Sequence, residues 1–272
     1  MTDKYAVIGN PVAHSKSPLI HRMFAEQTGQ DISYEAALAP LDGFAATVER
    51  LRKEGYKGCN VTVPFKFEAF KIAHKLSKRA CAAQAVNTLS LDGDAVRGDN
   101  TDGAGLVRDI EHNLGLALQG KRVLLLGAGG AAYGVALPLL LTKAHLSIAN
   151  RTPAKADQFA LHLGKLVHVV NVYNFPNEAG RKQFDLIINA TSAGLTNELP
   201  PLPTDIFAPG ALAYDMMYGR ETPFMKFARA HGAAVVADGL GMLVEQAAEA
   251  FYIWRGARPD TAPVIAKLRE TA

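Results

Sequence analysis

An apolar run that leads directly into a cluster of glycines is the feature that most restricts how this chain can fold. Arg122-Val-Leu-Leu-Leu is the kind of continuous apolar run found in strands that are buried on both faces. Gly127-Ala-Gly-Gly-Ala-Ala follows at once and leads into a helical stretch. Similar apolar runs recur with helical segments between them, at residues 146–149, 186–188, 211–214 and 233–236. This pattern predicts a doubly wound α/β sheet.

The position of these glycines, between an apolar strand and a helix, is typical of a dinucleotide-binding loop. Glycines let the backbone approach a pyrophosphate, whose charge then meets the N–H groups at the helix N-terminus. The third position of the glycine pattern falls on Ala132, a small residue that the pattern tolerates. The residues predicted to contact the cofactor here are Gly127, Ala128, Gly129, Gly130 and Ala131. A tight turn without a ligand is the alternative.

The residues after the next strand bear on which dinucleotide binds. NAD enzymes typically carry an acidic residue about 20 positions beyond the first glycine, where it binds the ribose hydroxyls. This chain has Asn150-Arg151-Thr152 there, followed by Lys155, and no acid before Asp157. Arginine and lysine beside a hydroxyl suit a 2′-phosphate. The sequence therefore predicts NADP, and a solvated basic loop is the alternative.

The first hundred residues also alternate strand and helix. The predicted strands cover residues 5–8, 34–38 and 59–63, the predicted helices cover residues 18–28 and 41–54, and a hairpin covers residues 86–99. This order favours a mostly parallel sheet in a domain of residues 1–102. A helix over residues 103–116 leads into the nucleotide domain of residues 103–241. From the pattern alone, helices over residues 243–254 and 262–270 could pack on either domain.

Polar residues follow the strands of the first domain, at the positions where open α/β sheets bind ligands. Ser15 and Ser17 stand at the start of a helix and suit a carboxylate, although a helix cap is the plainer role for Ser17. Lys66, which follows a strand that ends at Pro64, reads alone as a solvated charge. Two further polar motifs at strand ends of the same small domain, Ala85-Val-Asn87-Thr and Gly98-Asp-Asn100-Thr-Asp102-Gly, favour a functional role for it.

Taken together, these residues resemble the shikimate dehydrogenases over nearly the whole chain, in order. In the first domain the resemblance lies in Asn10-Pro-x-x-His-Ser15-x-Ser17-Pro, Asn60-Val-Thr62-Val-Pro-Phe-Lys66, Ala85-Val-Asn87-Thr and Gly98-x-Asn-Thr-Asp102-Gly. In the remainder it lies in Gly127-Ala-Gly-Gly-Ala, Asn150-Arg-Thr, Asn189-Ala-Thr191-Ser-Ala-Gly, Tyr214-Asp-Met216-Met-Tyr218 and Asp238-Gly239-Leu-Gly-Met-Leu-Val-x-Gln246. The resemblance implies NADP-dependent reduction of 3-dehydroshikimate to shikimate, on the route to the aromatic amino acids.

The resemblance also implies roles for individual residues. Ser15, Ser17 and Tyr218 would hold the substrate carboxylate; Thr62, Asn87 and Gln246 would hydrogen-bond the ring hydroxyls; and Lys66 and Asp102 would act at the reacting oxygen. The implied cofactor contacts are the glycine loop, Asn150, Arg151, Thr152, Lys155, Thr191, Met216 and Gly239. Lys155 stands where many relatives have arginine. The C-terminal residues 242–272 would return to the substrate domain.

Composition excludes several other classes of protein. The net charge of +3 comes from scattered basic residues, which does not suggest nucleic acid or an acidic membrane surface as a partner. The two cysteines and eight histidines show no ligand spacing, so no metal is expected. No apolar run approaches the roughly 20 residues of a membrane span. We therefore expect a cytoplasmic protein that is a monomer or a homodimer.

Other functions stay open at this point. A broader quinate/shikimate dehydrogenase that also uses NAD is the nearest one, although an acidic residue would be expected where Asn150-Arg-Thr stands. A non-catalytic NADP sensor would be expected to lose the pair Lys66 and Asp102, and both are present. A folate dehydrogenase of similar plan would not be expected to carry the serine pair.

Overall fold

The computed structural model describes residues 2–165, 171–173, 183–191 and 198–270. The chain forms two compact units, one of Met1–Gly105 with Leu243–Ala272 and one of Leu106–Met242. The divisions fall slightly later in the chain than the predicted ones after residues 102 and 241. No helix in the described part of the chain is long and apolar enough to cross a membrane.

The first unit is built on a mixed sheet. Its elements before the first division are β1 (Asp3–Gly9), α1 (Ser17–Thr28), β2 (Ile32–Leu38), α2 (Phe44–Lys53), β3 (Tyr56–Val61), α3 (Lys66–Ile72), β4 (Lys75–Leu76), α4 (Lys78–Ala83), β5 (Thr88–Ser90), β6 (Arg97–Asp99) and the start of α5 (Asp102–Arg108). The strand order is β2-β1-β3-β5-β6-β4. β5 runs antiparallel to both of its neighbours, and the other pairs are parallel.

Local sequence explains the first helix well. Pro18 stands in its first turn, where a missing N–H costs nothing, and Ile20 and Phe24 are buried on one face. Gly29 ends it in the left-handed conformation, with φ of 63° and its N–H donating to Ala25 O. The helix predicted over residues 18–28 is therefore confirmed. The helix that begins at Lys66 was not predicted, because its seven residues are too few to show a clear period.

The second unit holds a sheet whose strand pairs are all parallel. Its elements are a π-helical segment (Asp109–Asn113), β7 (Arg122–Leu126), α6 (Gly130–Leu141), β8 (His145–Ala149), α7 (Pro153–Gly164), β9 (Asn171–Val172), β10 (Phe184–Asn189), β11 (Phe207–Asp215), α8 (Pro223–Ala230) and β12 (Val235–Asp238). The strand order is β12-β11-β10-β7-β8-β9. The order reverses between β10 and β7, so the predicted doubly wound fold is confirmed.

Burial explains why β7 is apolar from Val123 to Leu126. Val123 and Leu125 face a core that includes residues of α6 and α7, whereas Leu124 and Leu126 face a second core that includes residues of α8. Successive side chains of a strand point to opposite faces of the sheet. A strand with helices on both faces has no side exposed to water, so the four buried positions are apolar, whereas Arg122 at the start of the strand is exposed.

The helix predicted over residues 103–116 is wrong in its second half. α5 ends at Arg108, and the π-helical segment begins at Asp109. Leu114 N donates to Asp109 O at 3.0 Å, which closes a turn one residue wider than an α-helical turn. Tyr214 Oη donates to the buried Asp109 carboxylate at 2.6 Å. Tyr214 lies in β11, far from Asp109 in the chain, so the spacing of apolar residues around Asp109 could not predict this hydrogen bond.

Two further helices, α9 (Leu240–Arg255) and α10 (Ala262–Glu270), complete the chain. α9 crosses the second division, and most of it belongs to the first unit. Its Trp254 indole stacks on Tyr5 with ring centroids 4.7 Å apart and donates from Nε1 to Leu89 O at 3.1 Å. A Cβ at Gly58 would lie 2.5 Å from that Nε1. Gly58 is therefore required for the close approach of α9 to the sheet.

We expect Gly58→Ala to lower the free energy of unfolding of the first unit by about 1–3 kcal/mol, because the methyl group overpacks this contact. Trp254 is the chain's only tryptophan, so its fluorescence during urea unfolding reports on this unit. Gly93→Ala is the matched control, since a Cβ there meets no heavy atom within 4 Å. Equal unfolding midpoints for the two variants would contradict this account of the packing.

Candidate functional site

A cavity of about 660 Å³ in the second unit lies at the carboxyl ends of β7, β8 and β10. Most of the sequence-predicted cofactor residues line it, namely Gly127, Ala128, Gly129, Gly130, Ala131, Asn150, Arg151, Thr152, Lys155 and Thr191. The remaining lining comes from Leu126, Ala149, Ala190 and the segment of residues 198–201. A pocket at the point where the strand order reverses is where a doubly wound sheet binds a dinucleotide.

The glycine loop has the geometry that an anion site needs. Gly127 has φ of 112°, a conformation that favours glycine, and its N–H donates to Ala149 O at 2.7 Å. A Cβ there would lie 3.2 Å from Ala190 O, so a side chain would also crowd the end of β10. α6 begins at Gly130, and no side-chain oxygen caps its N-terminus at Gly129. The N–H groups of its first turn are therefore suited to a phosphate.

Two basic residues stand at the side of the cavity next to β8. Arg151 is 83% exposed and pairs with the Glu198 carboxylate at 3.2 Å. Lys155 is exposed in the first turn of α7, and Thr152 is the N-cap residue of that helix. Asn150 Nδ2 donates to Thr152 O at 3.0 Å, which holds the loop in place. An exposed ion pair contributes little to stability, so Arg151 can exchange Glu198 for a phosphate at little cost.

Met216 and Gly239 do not line the cavity that the described residues form. Met216 N donates to Asn189 O at 3.0 Å, and Gly239 N donates to Met217 O at 2.9 Å. A Cβ at Gly239 would lie 2.3 Å from Met216 O. Gly239 therefore has a packing role in the structure. The end of the Asn189 motif, residues 192–194, lies outside the described residues.

In the first unit, Lys66 and Asp102 form an ion pair, with Nζ 2.6 Å from Oδ2. Lys66 is the first residue of α3 and Asp102 the first of α5. The lysine side chain is 34% exposed and that of the aspartate 13%. The ammonium group is thus held by a mostly buried carboxylate, while part of the lysine side chain stays exposed.

Strand directions explain why residues so far apart in the chain meet here. Lys66 follows the end of β3, and Asp102 follows the end of β6. β5 is antiparallel to both strands, so its beginning lies at the same edge as their ends. Asn87 immediately precedes β5 and therefore joins the pair. Hairpin pairing of β5 with β6, as predicted from the sequence, is thus what assembles the site.

Asn87, only 2% exposed, is the centre of a hydrogen-bond network. Its Nδ2 donates to Asp102 Oδ1 at 2.8 Å and lies 3.3 Å from Gln246 Oε1. Its Oδ1 accepts from Thr101 N at 2.9 Å and from Thr88 Oγ1 at 2.9 Å. The amide orientation is therefore fixed, and both oxygens of Asp102 have a donor.

The serine pair lies at the same end of the sheet, after β1. Ser17 N donates to Ser15 Oγ at 3.3 Å. Ser17 is the first residue of α1, so the Ser15 hydroxyl accepts one of the free N–H groups at the start of this helix, while Lys16 occupies the N-cap position without a side-chain cap. Thr62 follows β3, and its N–H donates to Ile8 O at 2.9 Å. Tyr218 lies in the second unit and is 40% exposed.

Sequence reasoning missed a second layer behind these residues. Tyr34 Oη donates to Asn60 Oδ1 at 2.7 Å, and Asn60 Nδ2 lies 3.2 Å from both Asn87 O and Thr88 Oγ1. Burial raises the pKa of Tyr34 well above its usual value, so its hydroxyl stays a donor. The His21 ring stacks on Tyr34 at 4.1 Å, and burial lowers the pKa of His21 to about 3, which keeps it neutral. Asn60 stood inside a recognised motif, whereas Tyr34 had no local signal.

This arrangement in the first unit can hold a hydroxylated anion. Two serine hydroxyls suit a carboxylate, the amides of Asn87 and Gln246 suit hydroxyl groups, and the lysine–aspartate pair suits proton transfer at one oxygen. The second unit can hold a nucleotide with an extra phosphate next to Arg151 and Lys155.

Comparison with known proteins shows which family the chain belongs to. The model of the shikimate dehydrogenase substrate binding domain matches residues 7–89, that of shikimate / quinate 5-dehydrogenase matches residues 109–196, and that of the shikimate 5′-dehydrogenase C-terminal domain matches residues 239–269. A shikimate dehydrogenase (NADP(+)) from Methylobacillus flagellatus is 61% identical over 98% of this chain and 99% of its own length.

Solved structures give the same result. An Ael1 enzyme from Pseudomonas putida superposes with a TM-score of 0.93 at 49% identity, and the match covers 98% of each chain. The shikimate 5-dehydrogenase of Thermus thermophilus, in complex with NADP(H) and shikimate, superposes with a TM-score of 0.87 at 32% identity over 100% of each chain. With matches of this extent in sequence and in fold, the chain belongs to the shikimate dehydrogenase family.

Proposed function

We propose that the protein catalyses the reversible, NADP-dependent reduction of 3-dehydroshikimate to shikimate, in the biosynthesis of chorismate and the aromatic amino acids. The observation that carries this proposal is the Lys66–Asp102 pair, with Nζ and Oδ2 2.6 Å apart, set among amides that suit ring hydroxyls. The names of full-length relatives at about 60% identity support the same activity and the same cofactor.

The proton step is assigned to Lys66. When the carbonyl of the substrate accepts the hydride that bound NADPH supplies, negative charge develops on its oxygen. The Lys66 ammonium group donates a proton to that oxygen, and in the oxidative direction the amine accepts it. The positive charge of the ammonium also stabilises the developing alkoxide before the proton has moved.

Asp102 and Asn87 fix the geometry of this step. Asp102 Oδ2 accepts from Lys66, and Oδ1 accepts from Asn87 Nδ2 at 2.8 Å, so the carboxylate cannot rotate without losing a partner. The free lone pairs of Asp102 are available to the hydroxyl that the reaction forms or consumes. Positioning of this kind lowers the barrier because the groups need no reorganisation during the reaction.

The remaining predicted residues are assigned to binding. Ser15 and Ser17 hold the substrate carboxylate, and Thr62 and Gln246 hold ring hydroxyls together with Asn87; the role that the resemblance implies for Tyr218 stays a prediction. In the second unit, the loop of residues 127–131 and the N-terminus of α6 hold the pyrophosphate. Asn150, Arg151, Thr152 and Lys155 hold the adenosine 2′-phosphate, and Thr191, Met216 and Gly239 hold the nicotinamide half.

A quinate/shikimate dehydrogenase that uses NAD is less well supported, because the cavity presents Arg151 and Lys155 next to β8. A non-catalytic NADP sensor would have no use for a lysine–aspartate pair with a partly exposed lysine side chain. We place the protein in the cytoplasm, which its two free thiols, Cys59 and Cys81, support. A monomer or homodimer stays a prediction.

We expect Lys66→Ala to lower kcat by about 10²–10⁴-fold, because the developing alkoxide loses its proton donor. The KM for shikimate should change little, since Asn87 still occupies Asp102 Oδ1. Initial rates of shikimate-dependent NADPH formation measure both constants. Lys71→Ala, an exposed lysine of the same helix, is the matched control and should behave as the unmodified protein. An unchanged kcat with a raised KM would refute the role of Lys66 as general acid.

We expect Arg151→Ala to lower kcat/KM for NADP by about tenfold or more, and to leave the low kcat/KM for NAD nearly unchanged, because only NADP carries the 2′-phosphate. Arg229→Ala, which likewise breaks an exposed ion pair of the second unit but lies outside the cavity, is the control. Equal losses with the two cofactors would show that Arg151 does not recognise the phosphate.

A further inference from the structure

Asp215, the last residue of β11, is a carboxylate with 0% exposure and no role in the scheme above. Its Oδ2 accepts from Asn189 Nδ2 at 3.1 Å and from Thr222 Oγ1 at 2.5 Å, and its Oδ1 accepts from Met217 N at 2.9 Å. A buried carboxylate is costly unless donors surround it, and here a strand end, a turn and a helix cap each supply one. Such a group sets the positions of its donors.

The first donor leads to the cofactor cavity. Because Asn189 Nδ2 is held by Asp215, Asn189 Oδ1 must face the other way, where it accepts from Thr191 N at 3.2 Å and from Thr191 Oγ1 at 2.7 Å. Thr191 lines the cavity. The Asp215 carboxylate therefore fixes which way the Asn189 amide points, and the amide in turn fixes the backbone and hydroxyl of Thr191.

The other donors hold the segment that follows β11. The hydrogen bond from Met217 N to Asp215 Oδ1 closes a tight turn, and Met216 N donates to Asn189 O at 3.0 Å. Thr222 is the N-cap of α8 and also accepts from Met225 N, so the segment from Asp215 to α8 is tied down at both ends. Gly239 N completes the contact by donating to Met217 O.

The strand order indicates which half of a dinucleotide meets this cluster. The glycine loop follows β7, and the basic residues follow β8 on one side of it. β10 and β11 lie on the opposite side, beyond the point where the order reverses. A dinucleotide whose pyrophosphate lies on the glycine loop and whose 2′-phosphate lies next to β8 must extend its other half over the ends of β10 and β11.

We propose that Asp215 is a positioning residue for the nicotinamide half of the cofactor, acting through Asn189 on Thr191 and through Met217 N on the turn that carries Met216. The inference rests on the proposed function for the identity of the cofactor. It concerns cofactor binding alone, so a binding measurement tests it separately from the activity.

The test is calorimetric titration of Asp215→Asn with NADP and with 2′,5′-ADP, which contains the adenosine and its 2′-phosphate but no nicotinamide. The amide nitrogen of an asparagine at position 215 cannot accept from the groups that donate to Asp215, namely Asn189 Nδ2, Thr222 Oγ1 and Met217 N. The Asn189 amide and the turn that carries Met216 therefore lose their fixed orientation. We expect the Kd for NADP to rise about tenfold or more while the Kd for 2′,5′-ADP stays within about twofold. Asp205→Asn, an exposed aspartate of the same unit, is the control and should change neither constant.

The reciprocal variant Asn189→Asp/Asp215→Asn keeps one amide and one carboxylate in contact. Its carboxylate at position 189 can still accept from Thr191, so we expect it to recover most of the NADP affinity that Asp215→Asn loses. If Asp215→Asn alone does not fold, as judged by thermal unfolding, the reciprocal variant carries the test and should bind NADP within about threefold of the unmodified protein.

Three results would overturn the proposal. One is unchanged NADP affinity in folded Asp215→Asn, and the second is an equal loss for NADP and 2′,5′-ADP, which would mark a general structural role. The third is a reciprocal variant that folds but does not recover NADP binding. Failure of the proposed function looks different: the unmodified protein would bind NADP and yet show no shikimate-dependent reduction of it.

Discussion

The ion pair of Lys66 with Asp102 depends on how strand directions meet at one edge of the first sheet. β3 and β6 end at that edge, and β5, antiparallel to both, begins there, which brings Lys66, Asp102 and Asn87 together from three parts of the chain. A β5 that ran parallel to these two strands would place Asn87 at the opposite edge. The geometry of this ion pair and of Asn87 therefore depends on the direction of a short three-residue strand, β5, between its two neighbours.

Both units then use the same device to hold their polar residues. In the first, Asn87 Nδ2 donates to a carboxylate and Asn87 Oδ1 accepts from the N–H and the hydroxyl of Thr101. In the second, Asn189 does the same between Asp215 and Thr191. The side chain of asparagine donates hydrogen bonds from its nitrogen and accepts them at its oxygen. A carboxylate that accepts from the nitrogen therefore turns the oxygen toward donors on the opposite side. Each threonine is thereby fixed without a charge of its own.

The sequence predicted those parts of the fold that depend on the burial and backbone conformation of consecutive residues. The apolar run of β7 and the glycine loop predicted the doubly wound sheet, because burial on both faces and a positive φ at Gly127 leave a direct trace in the residues. The π-helical segment at Asp109 and the buried Asp215 were not predicted, because each is set by a partner far away in the chain. Lys66 alone indicated only a surface charge; the polar motifs in the same domain favoured a functional role, and the family resemblance supplied the particular role.

The central claim is that one unit selects shikimate and the other selects NADP. Initial rates measured with shikimate and with quinate, each in the presence of NADP and of NAD, test it most directly. The account predicts that kcat/KM is highest for shikimate with NADP, and lower by about tenfold or more when either partner is replaced. Equal kcat/KM values with NAD and NADP, or with quinate and shikimate, would contradict it.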